Sequence, residues 1–221
     1  DKVFVKLVNQ YYASGQVDWL DEEQLKKIVD RAKELRHTMC GEYAHNVTLP
    51  GLDLMKWHSL YDVEAKYTLL VIWESTCGHC KKEMPILQKI YEEWNSKGLE
   101  IYAIGNDFES EPWQEYLKDS DYRDWIHVSD NPQVNQQDSA MVLIYSGTTD
   151  LLSLNFRTTF DVFSTPKLFL LDEDKKILAK QLGALQVAEI IYRKEGLDFP
   201  GEEYFLSPEE IEKRKKKAAH E

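Results

Sequence analysis

Cysteine is scarce in this chain, with three in 221 residues, too few for a fold stapled by disulfides. Positive charge is also in short supply. Lysine and arginine number 27 against 39 aspartates and glutamates, a formal net charge of −12, which repels a phosphate backbone and argues against nucleic acid as a partner. Long apolar runs are missing too. Stretches such as Tyr67 to Trp73 fall far below the roughly 18 to 20 residues of a membrane helix, and no lysine-led apolar segment with a small-residue cleavage site opens the chain. The expectation is a soluble protein without internal repeats. Material for a core is plentiful: 43% of residues are apolar and 12% aromatic, enough at this length for one dominant core with an appendage.

Hydrophobic periodicity divides the chain. Phe4, Leu7, Val8 and Tyr11 predict a helix over residues 3–12 with one apolar face. Leu25, Ile28, Val29, Ala32 and Leu35 predict a second over residues 21–39, opened by a capping box from Asp21 and Gln24. Together they form a helical N-terminal region, residues 1–39. Turn residues including Pro50 and Gly51 break the pattern over 41–62, with an edge strand expected at Trp57 to Tyr61. Tyr67 to Trp73 is continuously apolar and rich in strand formers, as expected of a central parallel strand covered on both faces. Ser75 and Thr76 are candidate caps for a helix starting at Cys77-Gly-His-Cys80, whose inner stripe is Met84, Leu87, Ile90, Tyr91 and Trp94 and whose stop is Gly98. A strand at Leu99 to Ile104 completes a right-handed strand-helix-strand unit.

Further on, Pro112 opens a short helix carrying Trp113 and Tyr116, and Trp125 to Val128 reads as a third strand. Residues 131–138 read as loop, and Met141 to Tyr145 fits either a strand or a buried helix. A hairpin follows, from Lys167 to Leu171 and from Ile177 to Lys180, and then a helix marked by Leu185, Ala188, Ile191 and Tyr192 and ended by Gly196. The tail, residues 201–221, holds Ser207, Pro208 and Glu210 as a helix start, and its basic run Lys213 to Lys217 reads as a solvated helix face.

Cys77 and Cys80 stand three apart at the expected helix start. Thiol-disulfide exchange needs one thiolate that attacks and a second thiol within reach of the first. The positive end of the helix dipole favours the Cys77 thiolate, and Cys80 lies one turn later. Gly78 lets the backbone turn tightly, while His79 and, more weakly, Lys81 and Lys82 add positive potential that stabilises the reduced form.

The run from Trp73 through Glu74 and Cys77-Gly-His-Cys80 to Pro85 resembles a thioredoxin-family active site. The tryptophan four residues before the first cysteine, the CxxC at a strand-to-helix junction, the proline five residues after the second cysteine, and Ser164-Thr-Pro166 before an apolar strand all match in order. Within that superfamily the sequence is most similar to TlpA/ResA-like thiol-disulfide oxidoreductases of the bacterial envelope, over roughly Gly41 to Val128 and Asn155 to Glu195. The resemblance implies an α/β thioredoxin-like fold, a central mixed sheet flanked by helices, over residues 40–200, with residues 132–154 as an insertion that forms either a lid or docking surface or structural filler. It also implies a cis peptide before Pro166, Thr165 and Pro166 facing the substrate, Cys77 as nucleophile, Cys80 as resolving thiol, no cofactor, protein thiols or disulfides and an upstream redox partner as partners, and a periplasmic or envelope location.

Two departures bear on mechanism. The position six residues before Cys77, where many thioredoxins bury an aspartate, holds Val71; Glu74 is the nearest carboxylate in sequence, on the opposite strand face from Val71 and Trp73. Thr76 stands where a second tryptophan is usual, which alters the substrate-facing surface. A zinc site completed by Cys40 and a histidine lacks any second paired-ligand motif. Lys81 occupies the place a c-type haem histidine needs, and Leu70 and Glu74 occupy the proline and threonine places of a peroxiredoxin signature. His37, His45, His58, His127 and His220 show no ligand spacing, Trp57, Trp113 and Trp125 read as packing residues, and Cys40 reads as a small, largely buried thiol. The alternative to a redox enzyme is a binding or scaffold module on the same fold, with the CxxC structural.

Overall fold

The computed structural model describes residues 1–53, 55–118, 120–130 and 136–218. Its centre is the strand β3 (Tyr67–Trp73), buried along all seven residues. A strand with no face for water has to be sandwiched on both sides, and β3 is the middle of a five-stranded sheet. Strand β4 (Leu99–Gly105) runs parallel to it on one side, pairing Tyr67 with Leu99 and Trp73 with Gly105, and β5 (Ile126–Ser129) continues that side in parallel. On the other side β6 (Lys167–Asp172) and β7 (Ile177–Lys180) run antiparallel as the expected hairpin. The first two short strands, β1 (Thr48–Pro50) and β2 (Trp57–Ser59), pair with each other apart from this sheet.

Alternation along β3 splits the core in two. Leu69, Val71 and Trp73 face α3 (Cys80–Trp94), α4 (Ser110–Lys118) and α8 (Ala184–Lys194), burying Met84, Leu87, Ile90, Trp94, Trp113, Val187 and Ile191. Leu70 and Ile72 face the other way, against Val47, Leu49 and Leu60 and against Leu154, Phe156 and Phe160. Each fully buried side chain of this size contributes about 1.5–3 kcal/mol relative to exposure. The Tyr102 hydroxyl donates into carbonyl oxygens of Val47 (3.1 Å) and His58 (2.9 Å), tying the β1–β2 ribbon to the second face.

The N-terminal helices form a satellite cluster. Helix α2 (Glu22–Leu35) starts with the expected capping box: Asp21 Oδ1 accepts from Gln24 N at 2.7 Å. Helix α1 (Lys2–Leu7) runs into a π-turn over Val8–Tyr12, whose wider winding shifts the apolar face. Val5 and Val8 are buried against Ala32 and Leu35, while Phe4, Leu7 and Tyr11, expected on the inner face with Val8, are exposed.

Other elements also depart from the sequence reading. The chain from Met141 to Tyr145 lies in helix α5 (Gln137–Tyr145) and is neither a strand nor fully buried, with Val142 and Tyr145 exposed. It is followed by α6 (Leu151–Leu154) and α7 (Phe156–Thr159), whose Leu154 and Phe156 pack on the second face of the sheet. Residues 131–135 of the expected loop lie outside the described residues, as does His220. The tail forms α9 (Glu202–Phe205) and α10 (Pro208–Ala218). Ser207 caps α10 reciprocally with Glu210 as expected, but the segment is anchored to the body. Phe205 and Leu206 are buried beneath α3, and Lys89 Nζ donates to the Leu206 carbonyl oxygen at 3.1 Å. No helix among the described residues is long and apolar enough to cross a membrane.

Gly105 is where packing forbids a side chain. A Cβ there would lie 2.6 Å from Trp113 Nε1, so Gly105→Ala should overpack the site and cost about 1–3 kcal/mol. At Gly78 an added Cβ meets nothing within 4 Å. Thermal denaturation of both variants checks this: Gly105→Ala lowers Tm clearly, and Gly78→Ala leaves it nearly unchanged.

Candidate active site

Parallel strands β3 and β4 end at the same edge of the sheet, so the loops after them meet there. Asn106 N–H donates to the Trp73 carbonyl oxygen at 2.7 Å, extending the ladder by one rung. The Ser75 N–H and hydroxyl both donate to the Asp107 carboxylate, and Asn106 Nδ2 donates to Glu74 Oε1. The turn that carries Cys77 is thereby clamped to the loop after β4. Ser75 does not cap the helix, because its hydroxyl is committed to Asp107; α3 begins at Cys80, and the residue at its cap position, His79, makes no side-chain capping bond.

This clamp leaves the two sulfurs in different surroundings. Cys80 is buried in the first-face cluster and its thiol is pushed up to about 12, chiefly by burial. Cys77, partly exposed, precedes the first helical turn and accepts from the Cys80 N–H at 3.4 Å. Burial raises its thiol as well, but hydrogen bonding by the Thr165 side chain and by the Cys80 and His79 N–H groups outweighs it, so the thiol sits below the usual cysteine value. As a thiol, Cys77 also donates to the Thr165 carbonyl oxygen at 3.4 Å. The Thr165–Pro166 peptide is cis, as the resemblance implies.

Beside Cys77 lies a groove of about 410 Å³ with His79, Glu83, Phe163, Thr165 and Pro166 in its lining. The sequence motif alone assigns no role to Glu83. It lies three residues after Cys80 on the same helix face, where its Oε2 accepts from Ala184 N at 2.6 Å and joins the start of α8 to the groove; the spacing was visible, the partner 101 residues away was not.

The remaining candidates fall around this centre. Trp73 is fully buried, with its ring 5.5 Å from that of Tyr116. Lys81 Nζ lies 5.7 Å over the outer ring, Tyr116. Glu74 is half-buried with its carboxylate on Asn106, and its carbonyl oxygen accepts from Cys77 N at 3.2 Å. At position 71 the inner face carries the apolar side chain of Val71 and no carboxylate. A buried imidazole on that side, His127, is paired in register with Ala103 beside Val71. Burial pushes it down to about 4, so it is neutral near pH 7, with Nε2 2.7 Å from the Tyr122 carbonyl oxygen. Cys40 packs with the second-face cluster, on the other side of the sheet from Cys77 and Cys80. Among the described residues no group of three or more His, Cys, Asp or Glu is arranged to hold a metal ion.

The opposite shifts of the two thiols set a reactivity order. In the reduced protein at neutral pH, iodoacetamide should modify Cys77 at least tenfold faster than Cys80, since about one unit of thiol shift is a factor of ten in thiolate. Peptide mass mapping against time and pH checks this: the Cys77 rate levels off below the pH of an ordinary cysteine, and the Cys80 rate keeps rising into strong alkali.

Comparison with known proteins agrees with this geometry. The AhpC/TSA family model matches residues 40–180. The thiol-disulfide oxidoreductase ResA of Oceanobacillus iheyensis is 30% identical over 87 residues, 39% of this chain and 41% of that protein. The protein of the same name from Bacillus cereus is 27% identical over 143 residues, 65% of this chain and 69% of that one. The thioredoxin domain of a thiol-disulfide oxidoreductase from Bacteroides vulgatus superposes with a TM-score of 0.54 at 25% identity, covering 71% of this chain and 97% of that one. With its five-stranded mixed sheet, cis proline and CxxC at the β3–α3 junction, the chain has a thioredoxin-like fold and belongs to the AhpC/TSA family.

Proposed function

We propose that the protein is a thiol-disulfide oxidoreductase cycling Cys77 and Cys80 between dithiol and disulfide. The observation that carries this reading is the asymmetry of the pair: an accessible, acidified Cys77 against the cis-Pro166 loop, and a buried, protonated Cys80 one turn behind it. In the reducing direction, the Cys77 thiolate attacks a substrate disulfide, one sulfur–sulfur bond forms as another breaks, and the first substrate thiolate leaves. Cys80 then loses its proton and attacks Cys77 Sγ, releasing the second substrate thiolate. The substrate gains two electrons and the pair becomes a disulfide; the reverse sequence oxidises a substrate dithiol.

In this reading Gly78 and His79 tune the poise, Thr165 and Pro166 face the substrate backbone, and Trp73, Glu74 and Lys81 flank the pair. The substrates are protein thiols or disulfides, an upstream redox partner resets the pair, and resemblance to TlpA/ResA-like proteins supports a place in the bacterial envelope.

A glutathione titration of the Cys40→Ser protein, read by thiol alkylation and mass spectrometry, tests the reading. A reversible two-electron transition is expected between roughly −270 and −180 mV, the span from thioredoxin to protein disulfide isomerase. Cys80→Ser should accumulate a mixed disulfide through Cys77, and Cys77→Ser should lose turnover. Absence of a reversible disulfide between Cys77 and Cys80, with partner binding indifferent to Cys77→Ser, would sink this reading in favour of the binding module.

A further inference from the structure

Arg31 joins the N-terminal helices to the active-site loop. Arg31, on the face of α2 away from the α1 contact, pairs with Asp161 and sets its guanidinium 5.2 Å from the Phe163 ring centroid. Asp161 is buried, holds a left-handed φ of 55°, and is also met by Lys167 from the start of β6, through its carbonyl oxygen and, at 3.5 Å, through its carboxylate. A non-glycine residue keeps such a φ only where its surroundings fix it. The backbone between Asp161 and Lys167 is therefore gripped at both ends, and the cis Thr165–Pro166 peptide lies inside that span.

Phe163 is also within it. Its side chain is 82% exposed in the lining of the groove beside Cys77. An aromatic ring left this open contributes little to folding, yet it holds the Arg31 guanidinium within cation–π range and also lines the groove. Phe163 is two residues before Thr165, whose carbonyl oxygen touches Cys77 Sγ, a reach of about 7 Å in extended chain. A side chain one to three positions from a substrate's reactive cysteine spans the same distance.

We propose that Phe163 is the specificity-determining residue of the groove, selecting protein substrates with an apolar or aromatic side chain next to the reactive cysteine, and that Arg31 is the positioning residue that presents it. This rests on the oxidoreductase reading, and it gives the N-terminal helices a part in substrate choice.

The test is single-turnover exchange between the pre-reduced protein and short peptides linked by a disulfide to glutathione, carrying Phe or Ser two positions before the cysteine, with glutathione disulfide as the small control. Wild type is expected to favour the Phe peptide about tenfold, the scale of one buried apolar contact, through half-saturation and with the limiting rate unchanged. Phe163→Ala should erase that preference, bringing exchange with the Phe peptide down to the level of the Ser peptide. Arg31→Ala should erase part of it, and Arg31→Lys should restore some. Adding Arg31→Ala to Phe163→Ala should change nothing further, because Arg31 acts through the ring. Phe163 is surface-exposed, so its variant tests the idea even if Arg31→Ala folds poorly. Exchange by wild type without preference between the peptides, or a preference that survives Phe163→Ala, overturns this inference alone. Failure of wild type to exchange with any of the three disulfides overturns it together with the oxidoreductase reading.

Discussion

Burial of β3 on both faces is the constraint from which the rest follows. Seven consecutive residues without an exposed position cannot occupy a sheet edge, so partners had to come from both sides, β4 in parallel and β6 antiparallel. Parallel pairing puts the end of β3 beside the end of β4, and the antiparallel partner brings its beginning to the same place. The beginning of β6 is Lys167, immediately after Pro166. Three loops that are far apart in sequence thus converge at one point, and Cys77 is on the first of them.

That logic also says which parts of the site could be read from the chain alone. Cys77, Cys80 and Pro166 were legible because their signals are local: a two-residue spacing, a strand-to-helix junction, a proline ahead of an apolar strand. The central strand, the hairpin and the α2 capping box were legible for the same reason. Ser75 was misread because capping is the local option for a serine before a helix, and the competing carboxylate, Asp107, lies 32 residues away. The N-terminal face was misread because a π-turn changes the winding that the 3.6-residue period assumes. Phe205 and Leu206 sit in a polar tail, where two apolar residues make no periodic pattern, yet the space beneath α3 takes them in. The Arg31–Asp161 pair spans 130 residues. No single-sequence signal joins residues at that distance.

The same convergence explains how one short turn creates two different thiols. Cys77 precedes the helix, where N–H groups have no carbonyl partner inside α3 and turn toward the sulfur. Cys80 is the first helical residue on the inner face, with Val71 and Trp73 beneath it in place of a charged group. Desolvation acts on both, and only Cys77 has enough donors to overcome it. If the pair cycles as proposed, this ordering has a kinetic meaning in the mixed disulfide. In the proposed cycle the covalent intermediate on Cys77 persists while Cys80 stays protonated; once that proton leaves, the more basic Cys80 thiolate attacks Cys77 Sγ and expels the substrate thiolate. The inner face offers no carboxylate at Val71, and the imidazole of His127 donates to the Tyr122 carbonyl oxygen, which fixes its tautomer. Under the proposed exchange reaction, substrate release would wait on a proton leaving a buried thiol, so substitutions around Cys80, rather than those that expose Cys77, would change the lifetime of the mixed disulfide.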